Sequence, residues 1–369
     1  MLGSLRSMTT RYHRLVLLLV SLSGSIGCQH YGPRSIVADR IPYNEAIAAS
    51  WKEQTLLNIV KLRYMDTPFF VDVPQITSGY TFQGMGAVNG GISPPVSNLA
   101  SFAQQLGLTL NAQAAYQDRP TISYQPQTGS QFIRNLTQPI NPGSVLFLLQ
   151  SGYPADIVFG LTVESINGIR NRSVSGGQLR PADPEFNKIV NTLRKAQIGG
   201  HIGIRVERGK DKQDYVAMYF RDKDIDPDLA REFAEARKAL RIDPSEREFK
   251  VVFGAAPSNP KELAILSRSV LRIMSELATQ VEVPAQHIAS GIALAQDETD
   301  AGGVTQFRVF SSVTKPCAAF TAVCYEGHWF WIDKTDFQSK RTIAHLLVLL
   351  ALADSGTKES LPVITIQAN

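Results

Sequence analysis

From Leu106 to Tyr116 the chain reads LGLTLNAQAAY. Leu106, Leu108, Leu110, Ala112, Ala114 and Tyr116 take every second position, with Gly107, Thr109, Asn111, Gln113 and Ala115 between them. A period of two is that of a strand, whose side chains alternate between faces. A run that opens at TPFFVDV continues as QITSGYTFQGMGAV and alternates in the same way. There Ile76, Tyr80, Phe82 and Val88 share one parity, while Gln75, Thr77, Thr81 and Gln83 share the other. NGGISPPVSN between the two runs has the composition of a loop, and PTISYQ after Arg119 reads as a further strand. The pattern predicts a long antiparallel hairpin or meander.

Elsewhere the period is helical. Ala48, Trp51, Leu56, Ile59, Val60 and Leu62 predict a helix with Asn44 as N-cap, preceded by a polar tether over residues 28–42. SQFIRNLTQPI, GSVLFLLQSG and PADIVFGLTVESING read as short helices, with Gly152 and Gly168 as C-terminal stops. Residues 171–183, within IRNRSVSGGQLRPADP, read as a linker. Asp183-Pro184 then opens a helix over 184–198, with Asp as N-cap and Pro in the first turn. A hairpin (HIGIRVERGKDKQDYVAMYF), a helix from Asp226 to about Leu240 and the strand EFKVVFG follow. The pattern then predicts a long helix from Asn259-Pro260 to about Gln280, strands near 306–312, 318–325 and 328–332, a helix over 339–354 and a last strand, PVITI. The expected class is α+β. Residues 43–170 would form a domain of helix, neutral hairpin and short helices. Residues 184–369 would form a second domain in helix-strand-strand-helix-strand order.

The first residues set the compartment. Arg6, Arg11 and Arg14 precede the short apolar core LVLLLVSL, and SGSIG leads to Cys28. Basic head, short core and small-residue exit describe an export signal over residues 1–27, and the core is too short to span a membrane. SIGC resembles the lipobox of bacterial lipoproteins, although Ser25 stands where those signals usually carry Leu. The resemblance implies that Cys28 is acylated and becomes the first residue of the mature chain. By likeness to lipoprotein sorting, Gln29 in place of Asp points to the outer membrane, with the protein facing the periplasm. Several acyl chains at about 0.8 kcal/mol per buried methylene anchor firmly.

The formal charge of +4 owes much to that leader. Its loss removes three arginines and no acid, bringing the basic residues to within one of the 33 acidic ones. Nothing in that balance points to nucleic acid. Of the remaining cysteines, Cys317 and Cys324 flank an expected strand. Seven extended residues hold their Cα atoms roughly 23 Å apart, beyond disulfide reach.

Two stretches, EQTLLNIVKLRYMDTPFFVDV and GHWFWIDKTDFQSKRT, resemble a group of bacterial envelope lipoproteins without an assigned activity. The resemblance spans most of the mature chain and implies no catalytic residue. The helix-strand-strand-helix-strand order also looks like the ring-building modules of secretion-system lipoproteins, a likeness at the level of fold only. Motifs whose spacing has a chemical cause are missing: the chain has no G-x-S-x-G, no HExxH, no phosphate-binding glycine loop and no Cys/His metal spacing. No catalytic residue, metal or cofactor is expected.

Two features remain. In GHWFWID, His328, Phe330 and Ile332 face one way on a strand and Trp329, Trp331 and Asp333 the other. The two indoles beside a carboxylate suit stacking on a sugar ring; the plain alternative is a core strand whose indoles lie under the helix at 339–354. The second feature is that no residue from Val73 to Gln117 carries a charge, while 19% of the chain is charged. Three readings account for this: a sheet packed within the protein or between subunits, a hairpin entering lipid, or a helix and loop beginning at NLASFAQQL. In the first two, Tyr80, Phe82, Leu106, Leu108, Leu110 and Tyr116 form the assembly or membrane row. The expected function is that of a lipid-anchored envelope protein with a structural, assembly or secretion role, forming a homo-oligomer or envelope complex. The alternative is cell-wall or glycan binding through Trp329 and Trp331.

Overall fold

The computed structural model describes residues 31–77, 79–89, 109–175, 178–208, 214–221, 223–295 and 307–353, and the chain is α+β. It divides into two units, Met1–Glu53 and Gln54–Asn369. In the first, the helix α1 (Tyr31–Arg63) begins well before Asn44, so residues expected as an irregular tether are helical. Ile36, Val37 and Ile41 are exposed there. Without a buried face that stretch has no apolar period to announce it.

The second unit begins inside α1, where the period tightens onto a core and Leu56, Ile59 and Val60 are fully buried. Next comes a two-stranded ribbon of β1 (Phe70–Thr77), β2 (Tyr80–Asn89), β3 (Thr109–Asp118) and β4 (Thr121–Gln127). Three short helices follow: α2 (Ser130–Thr137), α3 (Pro142–Gln150) and α4 (Ala155–Thr162). The expected helix over PADIVFGLTVESING ends at Thr162. Val163–Ile166 is instead a strand, β5, because it pairs with the centre of a sheet.

That sheet has six strands in the order β6-β5-β12-β11-β10-β9, formed by β6 (Ile169–Arg170), β9 (Ile202–Arg208), β10 (Asp214–Phe220), β11 (Glu248–Phe253) and β12 (Glu262–Ser267) beside β5. Its strands come from both sides of residues 171–183. Those residues are no free linker: they carry a small hairpin, β7 (Ser173–Ser175) with β8 (Gln178–Arg180). The helices α5 (Pro184–Ile198) and α6 (Pro227–Ala239) pack together, with α5 and α3 also against β9. Ile204, Met218, Phe249, Leu263 and Ile265 make a buried row within the sheet, each contributing about 1.5–3 kcal/mol. The long helix expected after Asn259-Pro260 is a correction: β12 comes first, parallel to β11, and only Val270–Ala278 is helix α7. ELAILS fits a helical period, but flanked by β11 and β5 its buried residues serve the sheet.

After α8 (Ala285–Ala289) a second sheet runs β13-β15-β14, with β13 (Phe310–Ser312), β14 (Ala319–Tyr325) and β15 (His328–Asp333). The turn between β14 and β15 places Glu326 and Gly327 at positive φ, 47° and 76°, as a two-residue hairpin turn requires. The helix α9 (Phe337–Ala353) buries Ile343, Leu346 and Leu349. Among the described residues no helix is long and apolar enough to cross a membrane. PVITI lies outside the described residues.

Candidate functional site

The ribbon is the most unusual element, and its geometry starts at its root. Two amides one turn apart on α1 act as a substitute strand for β1. Asn58 donates from Nδ2 to the Phe69 carbonyl and accepts the Phe69 N–H at Oδ1, both at 2.9 Å. Gln54 does the same for Val71, at 3.2 and 2.7 Å. Phe70, buried, meets the ring of Phe132 on α2 edge-on, with centroids 5.8 Å apart. These contacts hold one end of the ribbon to the core.

Beyond a bulge between Asp72 and Gln75, the register is constant. Gln75 pairs with Ser123, Ile76 with Ile122 and Thr77 with Thr121. The Arg119 N–H donates to the Gly79 carbonyl at 2.9 Å, and the ladder then runs from Tyr80–Asp118 to Asn89–Thr109 without a slip. β1 to β4 thus form one continuous hairpin rather than a meander. From Gln75 to Asn89 it extends about 50 Å at 3.4 Å per residue. Pro74, Gln75, Thr77 and Thr121–Pro126 are exposed, with Tyr124 at 67%. Among the described residues no third strand joins either edge.

Of the positions singled out for assembly or membrane contact, Tyr80, Phe82, Leu110 and Tyr116 lie in β2 and β3. Tyr80 is opposite Asp118, Phe82 opposite Tyr116, and Leu110 opposite Val88. The register therefore brings the two sequence rows onto the same alternate rungs. Leu106, Leu108 and the lipidation position Cys28 lie outside the described residues.

A cluster that sequence reasoning did not single out flanks the root. Tyr64, at the end of α1, donates from its hydroxyl to Nδ1 of His287 on α8, at 2.7 Å. His287 is buried and also bonds the backbone carbonyl of Glu326 in the β14–β15 turn. With one nitrogen accepting and the other donating, the ring is held neutral. Burial, then the neighbouring His328, lowers its pKa. The His328 ring lies edge-on at 4.6 Å and contacts Gln286 Nε2 at 3.1 Å. Tyr325 donates to Asp66 Oδ2 at 3.2 Å. Burial first pushes both Tyr64 and Tyr325 up to about 12, so both stay protonated. Among the described residues no group of three or more His, Cys, Asp or Glu is placed to hold a metal ion. The cluster is suited to joining elements: it ties α1 to α8 and to the β14–β15 turn.

Both faces of the aromatic strand are covered, one more fully than the other. His328, Phe330 and Ile332 are the buried face, while Trp329, Trp331 and Asp333 point away and are half-buried. Trp331 stacks on Phe310 at 5.0 Å, Lys315 Nζ sits 5.0 Å over Trp329, and the Arg308 guanidinium lies 4.4 Å over Phe310. Asp333 accepts from the Thr335 hydroxyl and N–H at 2.6 and 2.7 Å, bonds that lower its pKa and close the turn before α9. Cys324 is opposite Trp329, and Cys317 and Cys324 are exposed and free.

A groove of about 390 Å³ between α5 and α6 is lined by Lys188, Thr192, Lys195, Glu232 and Glu235, with Lys195 paired to Glu232 at 2.5 Å. It contains none of the residues singled out from the sequence. No family model, no curated protein and no solved structure matches the chain.

Proposed function

We propose that this chain is a lipid-anchored envelope protein, held in the outer membrane through Cys28 and facing the periplasm, whose non-catalytic role is to assemble with copies of itself through the ribbon. The observation that carries this reading is a hairpin of constant register from Gln75 onward, to which, among the described residues, no further strand pairs at either edge. A lone two-stranded ribbon is marginal in water, and a long neutral edge is a template for another strand. Natural monomers blunt such edges with charge, yet no charge occurs from Val73 to Gln117. Edge-to-edge pairing with neighbouring copies satisfies both demands.

The test is the mass of the full-length lipidated protein in mild detergent, by light scattering after size exclusion, beside a variant lacking residues 74–118. A discrete multimer that becomes a monomer without the ribbon is expected. A monomer in both samples overturns the reading.

Trp329 and Trp331, half-buried on the face of β15 opposite Phe330, favour a second reading, retention on cell-wall glycan through this aromatic face. Trp329→Ala and Trp331→Ala should then release the protein from peptidoglycan sacculi while leaving its melting temperature within a few degrees. Unchanged retention removes this alternative.

A further inference from the structure

Resting on the assembly reading above, the register carries a more specific conclusion. We propose that Tyr80–Asn89 and Thr109–Asp118 cross the hydrocarbon of the membrane as one hairpin of a β-barrel shared between copies of this chain. Both strands have ten residues, and a tilted transmembrane strand needs about 9–11. Paired residues of an antiparallel ladder share a face. One set of rungs pairs Phe82 with Tyr116, Gly84 with Ala114, Gly86 with Ala112 and Val88 with Leu110. The rungs between pair Thr81 with Gln117, Gln83 with Ala115, Met85 with Gln113 and Ala87 with Asn111. Between Thr81 and Val88, rungs of aromatic, aliphatic or small residues thus alternate with rungs that each carry one amide, set beside Thr81, Ala115, Met85 or Ala87, the pattern of a barrel wall between lipid and water.

The ends of the segment agree with this placement. Tyr80, Phe82 and Tyr116 gather at the root end, where an aromatic girdle would meet the membrane interface. The first charges, Asp118 and Arg119, come at that end and not before. Open strand edges are not tolerated in hydrocarbon, so the hairpins must close on one another. With two strands from each copy, the smallest known barrels of about eight strands require at least about four copies. The polar rungs carry no charge, so the lumen would conduct ions with little preference for sign.

Single cysteines test the alternation in the full-length lipidated protein, in a Cys317→Ser, Cys324→Ser background. Phe82→Cys, Gly84→Cys and Gly86→Cys report the apolar rungs, and Gln83→Cys, Met85→Cys and Ala87→Cys the polar ones. Each carries an environment-sensitive fluorophore and is reconstituted in phosphatidylethanolamine–phosphatidylglycerol vesicles. Blue-shifted emission quenched by nitroxide-labelled lipid is expected on the first three, and quenching by aqueous iodide on the second three. Stepwise conductance across a planar bilayer should accompany it and vanish without residues 74–118. If iodide reaches all six positions and nitroxide none while light scattering still gives a multimer, the ribbon pairs in water and membrane crossing is overturned alone. A monomer by light scattering overturns the assembly reading, and the shared barrel with it.

Discussion

Tyr64 and His287, 223 residues apart in sequence, share a hydrogen bond of 2.7 Å that joins the end of α1 to α8. While the imidazole is neutral with its other nitrogen protonated, the hydroxyl donates and Nδ1 accepts. Tyr64→Phe keeps the ring and its edge contacts with Tyr325 and Phe330 but leaves a buried acceptor unpaired. A loss of about 1–3 kcal/mol is expected, measured by urea unfolding at pH 7.5. A second effect follows from the lowered pKa of His287. The unfolded chain takes up a proton near pH 6.5 and the folded one only lower, so stability falls as pH drops from 6.5 towards the folded pKa. His287→Gln should flatten that dependence; an unchanged slope would assign it elsewhere.

His345 contributes to the same slope from another place. It is 1% exposed on α9, neither ring nitrogen has a hydrogen-bond partner among the described residues, and the Tyr153 ring lies 4.8 Å away. Burial first, then Arg341, brings its pKa down to about 4. Between pH 6.5 and 4 the unfolded chain is protonated and the folded one is not, a penalty that grows as pH falls to about 3 kcal/mol. His345→Leu should therefore stabilise the protein more at pH 4.5 than at pH 7.5. Equal stabilisation at both values would mean that packing, not ionisation, sets the effect.

The ribbon is legible in the sequence because most of its rungs keep a two-residue alternation, and Gln75 to Asn89 mirrors Thr109 to Ser123 without a slip. The alternation in GHWFWID likewise separates Trp329 and Trp331 from Phe330. The root was not legible. Asn58 looks like any polar residue on a helix until the Phe69 backbone lies beside it, and Tyr64 gives no local sign of a histidine 223 residues away. The start of α1 is not legible because none of residues 36–42 is buried, and β12 is not legible because its neighbours, not its own period, make it a strand.

Asn58 provides a direct test of how the ribbon is held. At 1% exposure it supplies both hydrogen bonds to Phe69, and nothing else on α1 replaces them at that residue. Asn58→Ala should cost about 1–2 kcal/mol, since two part-buried hydrogen bonds to the Phe69 backbone are lost together. Hydrogen exchange would locate the damage: amides of Phe69 and Val71 should exchange faster, while Leu263 to Ile265 in the central sheet stay protected. Uniform acceleration would show that the clamp belongs to the global core rather than to the ribbon root.

Arg268 sets the strongest expectation for stability. It is 5% exposed and lies behind the end of α4, where its Nη1 donates to the carbonyls of Gly160 and Leu161 at 3.2 Å. Those are orphan groups of a helix C-terminus, which a cation satisfies well. Its Nη2 donates to the Arg172 carbonyl, and Glu164 lies 3.4 Å from Nε. Burial lowers the Arg268 pKa and raises that of Glu276, the buried carboxylate that accepts the Val174 N–H at 2.6 Å. One guanidinium thus ties α4 and β5 to the β7–β8 hairpin, across the stretch that read as a linker. Arg268→Met preserves length but removes the guanidinium donors to the Leu161 and Gly160 carbonyls, the latter keeping Asn171 Nδ2 at 2.9 Å, and leaves Glu164 and Glu276 with less positive charge nearby, for a loss of about 3–5 kcal/mol. Limited proteolysis should then cut first within residues 171–183. If that variant melts with the wild type and resists cleavage there, the buried network is dispensable and the hairpin is held by its apolar contacts alone.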